Sequence, residues 1–130
     1  MSHDLFEAAR TAMAHAYAPY SKFPVGAAIR AEDGKIYAGA NIENISFPQG
    51  WCAEPTAISH MIMAGATKIV EMAVIAEKLP LCPPCGGCRQ KIAEFASAKT
   101  QIYLCDETGV KKTMTMEELL PHGFATDVIG

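Results

Sequence analysis

Three cysteines in two separated segments place the strongest constraint on how this chain folds. Cys52 begins the segment Cys-Ala-Glu, and Cys85 and Cys88 lie in the segment Pro-Cys-Gly-Gly-Cys-Arg-Gln that starts at residue 84. Thiolates at these positions can occupy three corners of a zinc tetrahedron, and the two segments must then meet in space. A structural zinc site normally takes its fourth ligand from the protein, whereas a catalytic site leaves that position to water. Glu54 is placed to move the protons of such a water, so the pattern indicates a hydrolytic zinc enzyme.

Length and composition favour one small domain. The chain has 130 residues, which is enough for one domain and too short for two ordinary ones, so residues 1–130 are interpreted as a single domain. Half of the residues are hydrophobic and 19% are charged, which argues against disorder. The net charge is −3 and there is no basic run. Nucleic acid is therefore disfavoured as a partner, because neutralising phosphates needs clustered lysine and arginine.

Neither export nor membrane insertion is predicted. No apolar stretch of the chain approaches the roughly 18–20 residues of a membrane span. The first residues lack the basic and apolar regions of a signal peptide. The expected location is the cytoplasm, where five cysteines are better interpreted as metal ligands and core thiols than as disulfides.

Helix and strand patterns alternate along the chain. An apolar stripe predicts a helix over residues 4–16, and the Asp33-Gly34 turn predicts a hairpin. The other predicted elements are the hairpin strands 25–31 and 35–40, helix 54–64, strand 70–76, helix 85–96, strand 101–105 and helix 116–120. This order predicts a mixed sheet between helices, with one antiparallel hairpin and parallel crossovers after it. Both cysteine segments then lie at helix N-termini, where backbone N–H groups favour thiolates.

The cysteine segments resemble those of the zinc-dependent cytidine deaminases, in their small homotetrameric branch. Three further segments are similar to blocks of that family and follow in the same order: residues 17–28, residues 39–44, and residues 118–121 together with Phe124. The resemblance therefore covers nearly the whole chain. It implies an α/β fold, a three-layer α/β/α arrangement with a five-stranded mixed sheet. It also implies a zinc cofactor, a nucleoside substrate and a homotetramer.

The resemblance assigns roles to individual residues. Cys52, Cys85 and Cys88 would hold zinc, and Glu54 would carry protons during hydrolytic deamination of cytidine or deoxycytidine. The further residues assigned to substrate binding are Asn41 and Glu43 at the ribose 3′-hydroxyl, Phe23 beside the base, the backbone of Ala53 at the polar edge of the pyrimidine, Phe47 where the family often has tyrosine, and Phe124 from a neighbouring subunit.

Two residues beside the ligands depart from the family pattern. Pro55 occupies a position where many three-cysteine members carry an arginine that offsets thiolate charge, and Trp51 is bulky for its position. Without that cation the zinc should be less electrophilic unless another group compensates, and Arg89 is a candidate. Zinc should still be bound, with slower chemistry or a shifted substrate preference. Deamination of a modified or antibiotic nucleoside is therefore an alternative function.

The same residues permit other interpretations. Cys82 could close a structural zinc site as a fourth ligand, although the two prolines before Cys85 make joint ligation awkward. Cys82 and Cys85 also have the spacing of a redox pair. A non-catalytic, zinc-stabilised binding protein is a third hypothesis, which Glu54 disfavours because a structural site has no use for an adjacent acid–base group. Asn41 and Glu43 could merely stabilise their loop.

Overall fold

Alternating helices and strands make up the fold, as the sequence patterns predict. A computed structural model describes residues 3–79 and 81–125. In these ranges the elements are, in chain order, α1 His3–Met13, β1 Val25–Ala31, β2 Ile36–Ala40, a 3-10 turn Phe47–Gln49, α2 Ala53–Met63, β3 Ile69–Ala76, α3 Gly86–Phe95, β4 Gln101–Asp106, β5 Gly109–Thr115 and α4 Met116–Leu119. None of the helices described there is long and apolar enough to cross a membrane.

One mixed sheet of five strands, in the order β2-β1-β3-β4-β5, lies at the centre of the fold. Strand β1 is antiparallel to both β2 and β3, β3 is parallel to β4, and β4 is antiparallel to β5. Since β2 and β3 both oppose β1, they run in the same direction. The crossovers through α2 and α3 therefore both connect strands of the same direction, and the predicted mixed sheet is confirmed.

The sheet separates two hydrophobic layers. Side chains of a strand point alternately to opposite faces, and strands β1, β3 and β4 are apolar on both. On one face Ala28, Ala73, Ile75, Tyr103 and Cys105 pack with Leu5, Phe6, Ala9 and Met13 of α1. On the other face Ala27, Ile29, Met72, Val74, Ile102 and Leu104 pack with Ala57 and Met61 of α2, Ile92 of α3 and Met116 of α4. The α/β/α arrangement is therefore confirmed, and α2 and α3, which carry the cysteine motifs, share one face.

Strand β5 is the element that the residue patterns miss. They predict a turn over residues 106–109 and a solvated face at Lys111 and Lys112, but no strand. The turn is present, with a φ of +133° at Gly109. The following residues pair with β4 as an edge strand, and every one of them is exposed or half-buried. Without an apolar alternation, periodicity carries no signal for such a strand, and only the family resemblance gives the right number of strands.

Helix α1 ends three residues earlier than predicted. The N–H groups of His15 and Ala16 bond to carbonyls three residues back, those of Ala12 and Met13, so the helix gives way to tight turns. Tyr17 then pairs with the loop after β2 through a bond from its N–H to the Asn41 carbonyl at 3.0 Å. Tertiary pairing thus overrides a local sequence that is compatible with further helix.

Helix α2 approaches the sheet most closely at Gly39 of β2. A Cβ atom at this position would lie 2.5 Å from the backbone nitrogen of Ala57 and 2.8 Å from Cβ of Thr56. Gly39→Ala should therefore push α2 away from the sheet and lower the free energy of unfolding by about 1–3 kcal/mol. Gly87→Ala in α3 is the control, since its new Cβ would meet no atom within 4 Å. Chemical denaturation measures both variants, and a Gly39→Ala protein as stable as the wild type would contradict this close packing.

Candidate metal centre

Two helix N-termini bring the three predicted ligands together. Cys52 is the N-cap of α2, Cys85 is the N-cap of α3, and Cys88 lies in the first turn of α3. Their Sγ atoms all lie within 4.8 Å of one another. Zn–S bonds of about 2.3 Å place tetrahedral thiolates about 3.8 Å apart. The three thiols therefore fit a zinc ion with small side-chain adjustments, and thiolate is a donor that zinc prefers.

Cys82 does not belong to this thiol cluster. Within residues 3–79 and 81–125, the one group of three or more side chains that could hold a metal consists of the cysteines at positions 52, 85 and 88. Cys82 is half-buried, and burial, followed by the charge of Glu54, raises the pKa of its thiol. The geometry therefore gives no support to a closed site with Cys82 as the fourth ligand.

Hydrogen bonding between thiols favours a thiolate at Cys52. Its bond with Cys88 lowers the pKa of Cys52 to about 6, against the effect of burial and with smaller contributions from Cys85 and the charge of Lys91. The same bond raises the pKa of Cys88. The proton that these two thiols share therefore stays on Cys88, and a metal that binds all three sulfurs must displace it.

Glu54 is a buried carboxyl beside the cluster. It is the second residue of α2, and only 4% of it is exposed. Burial raises the pKa of Glu54 to about 7, and the negative charge of Cys52 adds to this rise, whereas its backbone N–H, Cys88 and Lys91 oppose it. A carboxyl with a pKa near neutrality can both take up and release a proton.

Arg89, the candidate compensating cation, is bound to two backbone carbonyls. Its Nε donates to the carbonyl of Pro84 and its Nη1 to the carbonyl of Leu119, each at 2.8 Å. The guanidinium thus ties the loop before α3 to the C-terminal end of α4. The cation whose charge lowers the pKa of Cys52 belongs to Lys91, which the sequence did not indicate. The direction of a long side chain depends on tertiary packing, which sequence adjacency does not reveal.

A cavity of about 250 Å³ contains two of the predicted substrate residues. Its lining consists of Tyr20, Ser21, Glu43, Asn44, Phe47 and Gly50. The Phe47 ring is exposed and lies tilted against the ring of Tyr20, with 5.7 Å between the centroids. Ile42 and Trp51 exchange two backbone hydrogen bonds of 2.9 and 2.8 Å. These bonds join the loop that carries Glu43 directly to the segment that carries Cys52.

The carboxylate of Glu43 organises one wall of this cavity. It accepts hydrogen bonds from the backbone N–H groups of Tyr20 and Ser21 at 3.0 and 3.1 Å and from the hydroxyl of Ser21. The hydroxyl bond is the main reason why the pKa of Glu43 is lowered. A carboxylate has about four acceptor positions, so one remains after these three bonds. The sequence missed Tyr20 and Ser21 as partners, although both lie in the segment that resembles the family.

Asn41 ties its loop to the start of β1. Its Oδ1 accepts from the N–H of Val25 and its Nδ2 donates to the carbonyl of Phe23, both at 2.9 Å. The loop-stabilising interpretation is therefore present in the structure. Because an amide carries two N–H groups and two lone pairs, Asn41 keeps capacity for a further partner.

The remaining predicted residues lie in separate places. Ala53 is the buried first residue of α2, where helical N–H groups lack an internal partner. Phe23 is half-buried.

Phe124 is 63% exposed. Its backbone is bound by the side-chain amide of Gln90, which donates to the Phe124 carbonyl at 2.8 Å and accepts from the Phe124 N–H at 3.2 Å. Gln90, which sequence reasoning did not single out, thus attaches the C-terminal segment to α3.

Three thiols at two helix N-termini of an α/β/α fold indicate a zinc-binding protein, and sequence comparison identifies the family to which it belongs. The family described as "Cytidine and deoxycytidylate deaminase zinc-binding region" matches residues 1–105. The cytidine deaminase of Sporosarcina psychrophila is 42% identical over 123 residues, which cover 95% of this chain and 90% of that protein. The cytidine deaminase of Halalkalibacterium halodurans is 44% identical over 112 residues, 86% of this chain and 85% of that protein.

Solved structures agree with this assignment. Cytidine deaminase from Burkholderia pseudomallei superposes with a TM-score of 0.89 at 38% identity, covering 95% of this chain and all of that one (100%). Cytidine deaminase from Mycobacterium tuberculosis gives a TM-score of 0.83 at 31% identity, covering 94% and 95%. The chain therefore belongs to the cytidine and deoxycytidylate deaminase family of zinc-binding proteins.

Proposed function

We propose that this chain deaminates cytidine and deoxycytidine to uridine and deoxyuridine with the help of zinc. The position of Glu54, buried directly beside the three-thiol cluster, carries the proposal. Burying a carboxyl costs free energy, and a purely structural metal site does not need a carboxyl at this position. Relatives named cytidine deaminase, 42% and 44% identical to this chain, support the choice of substrate.

In this mechanism Glu54 moves the protons. Cys52, Cys85 and Cys88 would hold zinc, which polarises water and so supplies the nucleophile. Glu54 accepts a proton as the water oxygen bonds to C4 of the pyrimidine and delivers it to the ring nitrogen N3. It then transfers the second water proton to the amino group, the C4–N bond breaks, and ammonia leaves. One water proton thus ends on N3 and the other on ammonia, and Glu54 returns to its starting form.

The substrate residues named from the family resemblance complete the proposal. Glu43 and Asn41 would bind the ribose 3′-hydroxyl, using the hydrogen-bonding positions that their loop contacts leave over. Phe47 would line the ribose side, and Phe23 would lie beside the base. A free N–H at the start of α2, near Ala53, would meet the polar edge of the pyrimidine. The shared cavity lining of Glu43 and Phe47, and its backbone link to the metal segment, support this arrangement.

Ammonia release across a nucleoside panel, with metal content by mass spectrometry, tests the function. Cytidine and 2′-deoxycytidine should both turn over. 3′-Deoxycytidine should lose roughly 10–100-fold in kcat/KM, since a hydrogen bond to a charged group contributes about 1.5–3 kcal/mol. Bound zinc without turnover of any nucleoside would instead favour the non-catalytic hypothesis. Turnover confined to modified cytosine nucleosides would favour the alternative substrate class.

We also propose that the chain assembles as a homotetramer in which Phe124 enters a neighbouring substrate site. Ile45, Phe47, Met63 and Phe124 expose more than half of their surface, which leaves apolar side chains available for contacts between subunits. The cavity of about 250 Å³ is smaller than the roughly 300–1,000 Å³ of ordinary ligand pockets, which supports completion by another subunit. Light scattering should give about four times the chain mass of 13.9 kDa, and a monomer would contradict the proposal.

We propose, finally, that residues 1–130 form one domain located in the cytoplasm. The strands of a single sheet span residues 25–115, which supports one domain. All five cysteines are free thiols, and free thiols in such number are typical of reducing compartments.

A further inference from the structure

The metal centre concentrates negative charge that the chain must balance. Three thiolates around a dication leave a net charge of −1, and Glu54 adds a carboxylate beside them. Helix N-termini offset part of this charge. Position 55, the third residue of α2, holds a proline and contributes no cation. Two backbone carbonyls fix the position of the Arg89 guanidinium, and a second cation, Lys91, acts on Cys52 and Glu54.

Lys91 is the cation that the fold directs toward the cluster. It follows Cys88 by three residues on α3, and residues at this spacing are neighbours on one helix face. Its Nζ lies 4.3 Å from the centroid of the Trp51 ring, well inside the roughly 6 Å range of cation–π attraction. Trp51 immediately precedes Cys52 and is fixed to Ile42 by two backbone hydrogen bonds. The ammonium is therefore held between the two segments that supply the thiolates.

Lys91 and Pro55 face the same space. Both line a cavity of about 390 Å³ to which Trp51 also belongs. A cation at position 91 thus occupies the region that a long cationic side chain at position 55 would enter. Glu94, one turn further along α3, lines this cavity as well. Among the residues that the structure describes, however, no carboxylate oxygen lies within 4.0 Å of the Lys91 ammonium.

We propose that Lys91, held in place by the Trp51 ring, balances the thiolate charge of the metal centre and so makes a proline at position 55 compatible with an active site. The inference rests on the proposed zinc-dependent function. In it Lys91 is a positioning residue, since it acts on the thiolates and on Glu54 through its charge and does not touch the substrate. Trp51 has a matching function: its ring restrains a long, exposed side chain that would otherwise sample solvent.

The alternative is that Lys91 is an ordinary solvated lysine of α3. Three variants separate these possibilities: Lys91→Met removes the charge and keeps most of the chain length, Lys91→Arg keeps the charge, and Lys99→Met removes an exposed charge remote from the cluster. Trp51 is the single tryptophan of the sequence, so its fluorescence reports zinc binding at the site directly. Stopped-flow transfer of zinc to a chelator measures the release rate independently of activity.

Lys91→Met should release zinc faster and lower kcat, each by roughly tenfold, as expected for the loss of one nearby, partly screened charge. KM should stay within about twofold, because no substrate contact is removed. Lys91→Arg should restore both rates, and Lys99→Met should resemble the wild type. Wild-type release and turnover in Lys91→Met would overturn the inference, and so would equal defects in the Met and Arg variants. If the wild type itself binds no zinc or deaminates nothing, the proposed function fails instead.

Discussion

Glu54→Gln should reduce kcat by about 10²–10⁴-fold, the usual contribution of a positioned acid–base group, while one zinc ion per chain remains bound. Glutamine has nearly the same shape as glutamate, so the buried position next to the thiols stays filled. It cannot accept the proton of the attacking water or pass it to N3, and no thiol ligand is changed. Steady-state ammonia release gives kcat, and mass spectrometry of the same preparation gives the zinc content.

Glu117→Gln is the matched control for this experiment. Glu117 lies on α4, is exposed, and belongs neither to the thiol cluster nor to the 250 Å³ cavity. The control should keep wild-type kcat and zinc. A Glu54→Gln protein that retains most of its activity would show that another group moves the protons. A variant that loses zinc would show that Glu54 serves the metal rather than the reaction.

The sequence predicted the metal centre well because its signals are local. Cysteine spacing, a proline before the second pair and the position of each motif at a helix start are all visible within a few residues. The structure confirms the N-cap positions of Cys52 and Cys85 and the gathering of three thiols. Pro55 lies in the first turn of α2, where a missing N–H costs no helical hydrogen bond.

Contacts between distant segments were less predictable. The sequence named Arg89 as a candidate for the compensating cation because it adjoins Cys88, and packing directs its guanidinium to the carbonyls of Pro84 and Leu119. Lys91 and Trp51 are forty residues apart in the chain and meet only once the segment before α2 lies against α3. The residues around Lys91 and those around Trp51 contain no pattern that predicts this contact. The edge strand β5 was missed for a related reason. It has no buried face and therefore no apolar alternation, and it forms because it pairs with β4.

The residues proposed to bind the ribose were predicted only in part. Glu43 and Phe47 do share a cavity, as the family resemblance implies. The sequence allowed Asn41 and Glu43 to stabilise their loop but did not identify their partners in residues 20–25, which depend on how that segment folds back over the loop after β2. Glu43 therefore both holds its loop and lines the cavity, so its substitution should affect both stability and substrate binding.

Cys88→Ala should abolish stoichiometric zinc binding and activity together, whereas Cys82→Ala should change neither. Cys88 is 1% exposed and belongs to the cluster, while Cys82, the control, lies outside it. Metal content after gel filtration and ammonia release measure the two variants side by side. Both substitutions remove one sulfur from the same part of the chain, so the comparison isolates ligation from general loss of a thiol.

Thermal unfolding with and without a chelator separates lost ligation from the small cavity that alanine leaves at position 88. A ligand that binds only the folded state stabilises it by about 4 kcal/mol at a thousand times its Kd, which corresponds to roughly 15 °C in Tm for a chain of this size. The wild type and Cys82→Ala should lose that increment when zinc is chelated, and Cys88→Ala should not respond. If Cys82→Ala also lost zinc and the chelator response, Cys82 would be a fourth ligand. The metal would then have no open position for water, and the buried carboxyl of Glu54 would have no water to deprotonate.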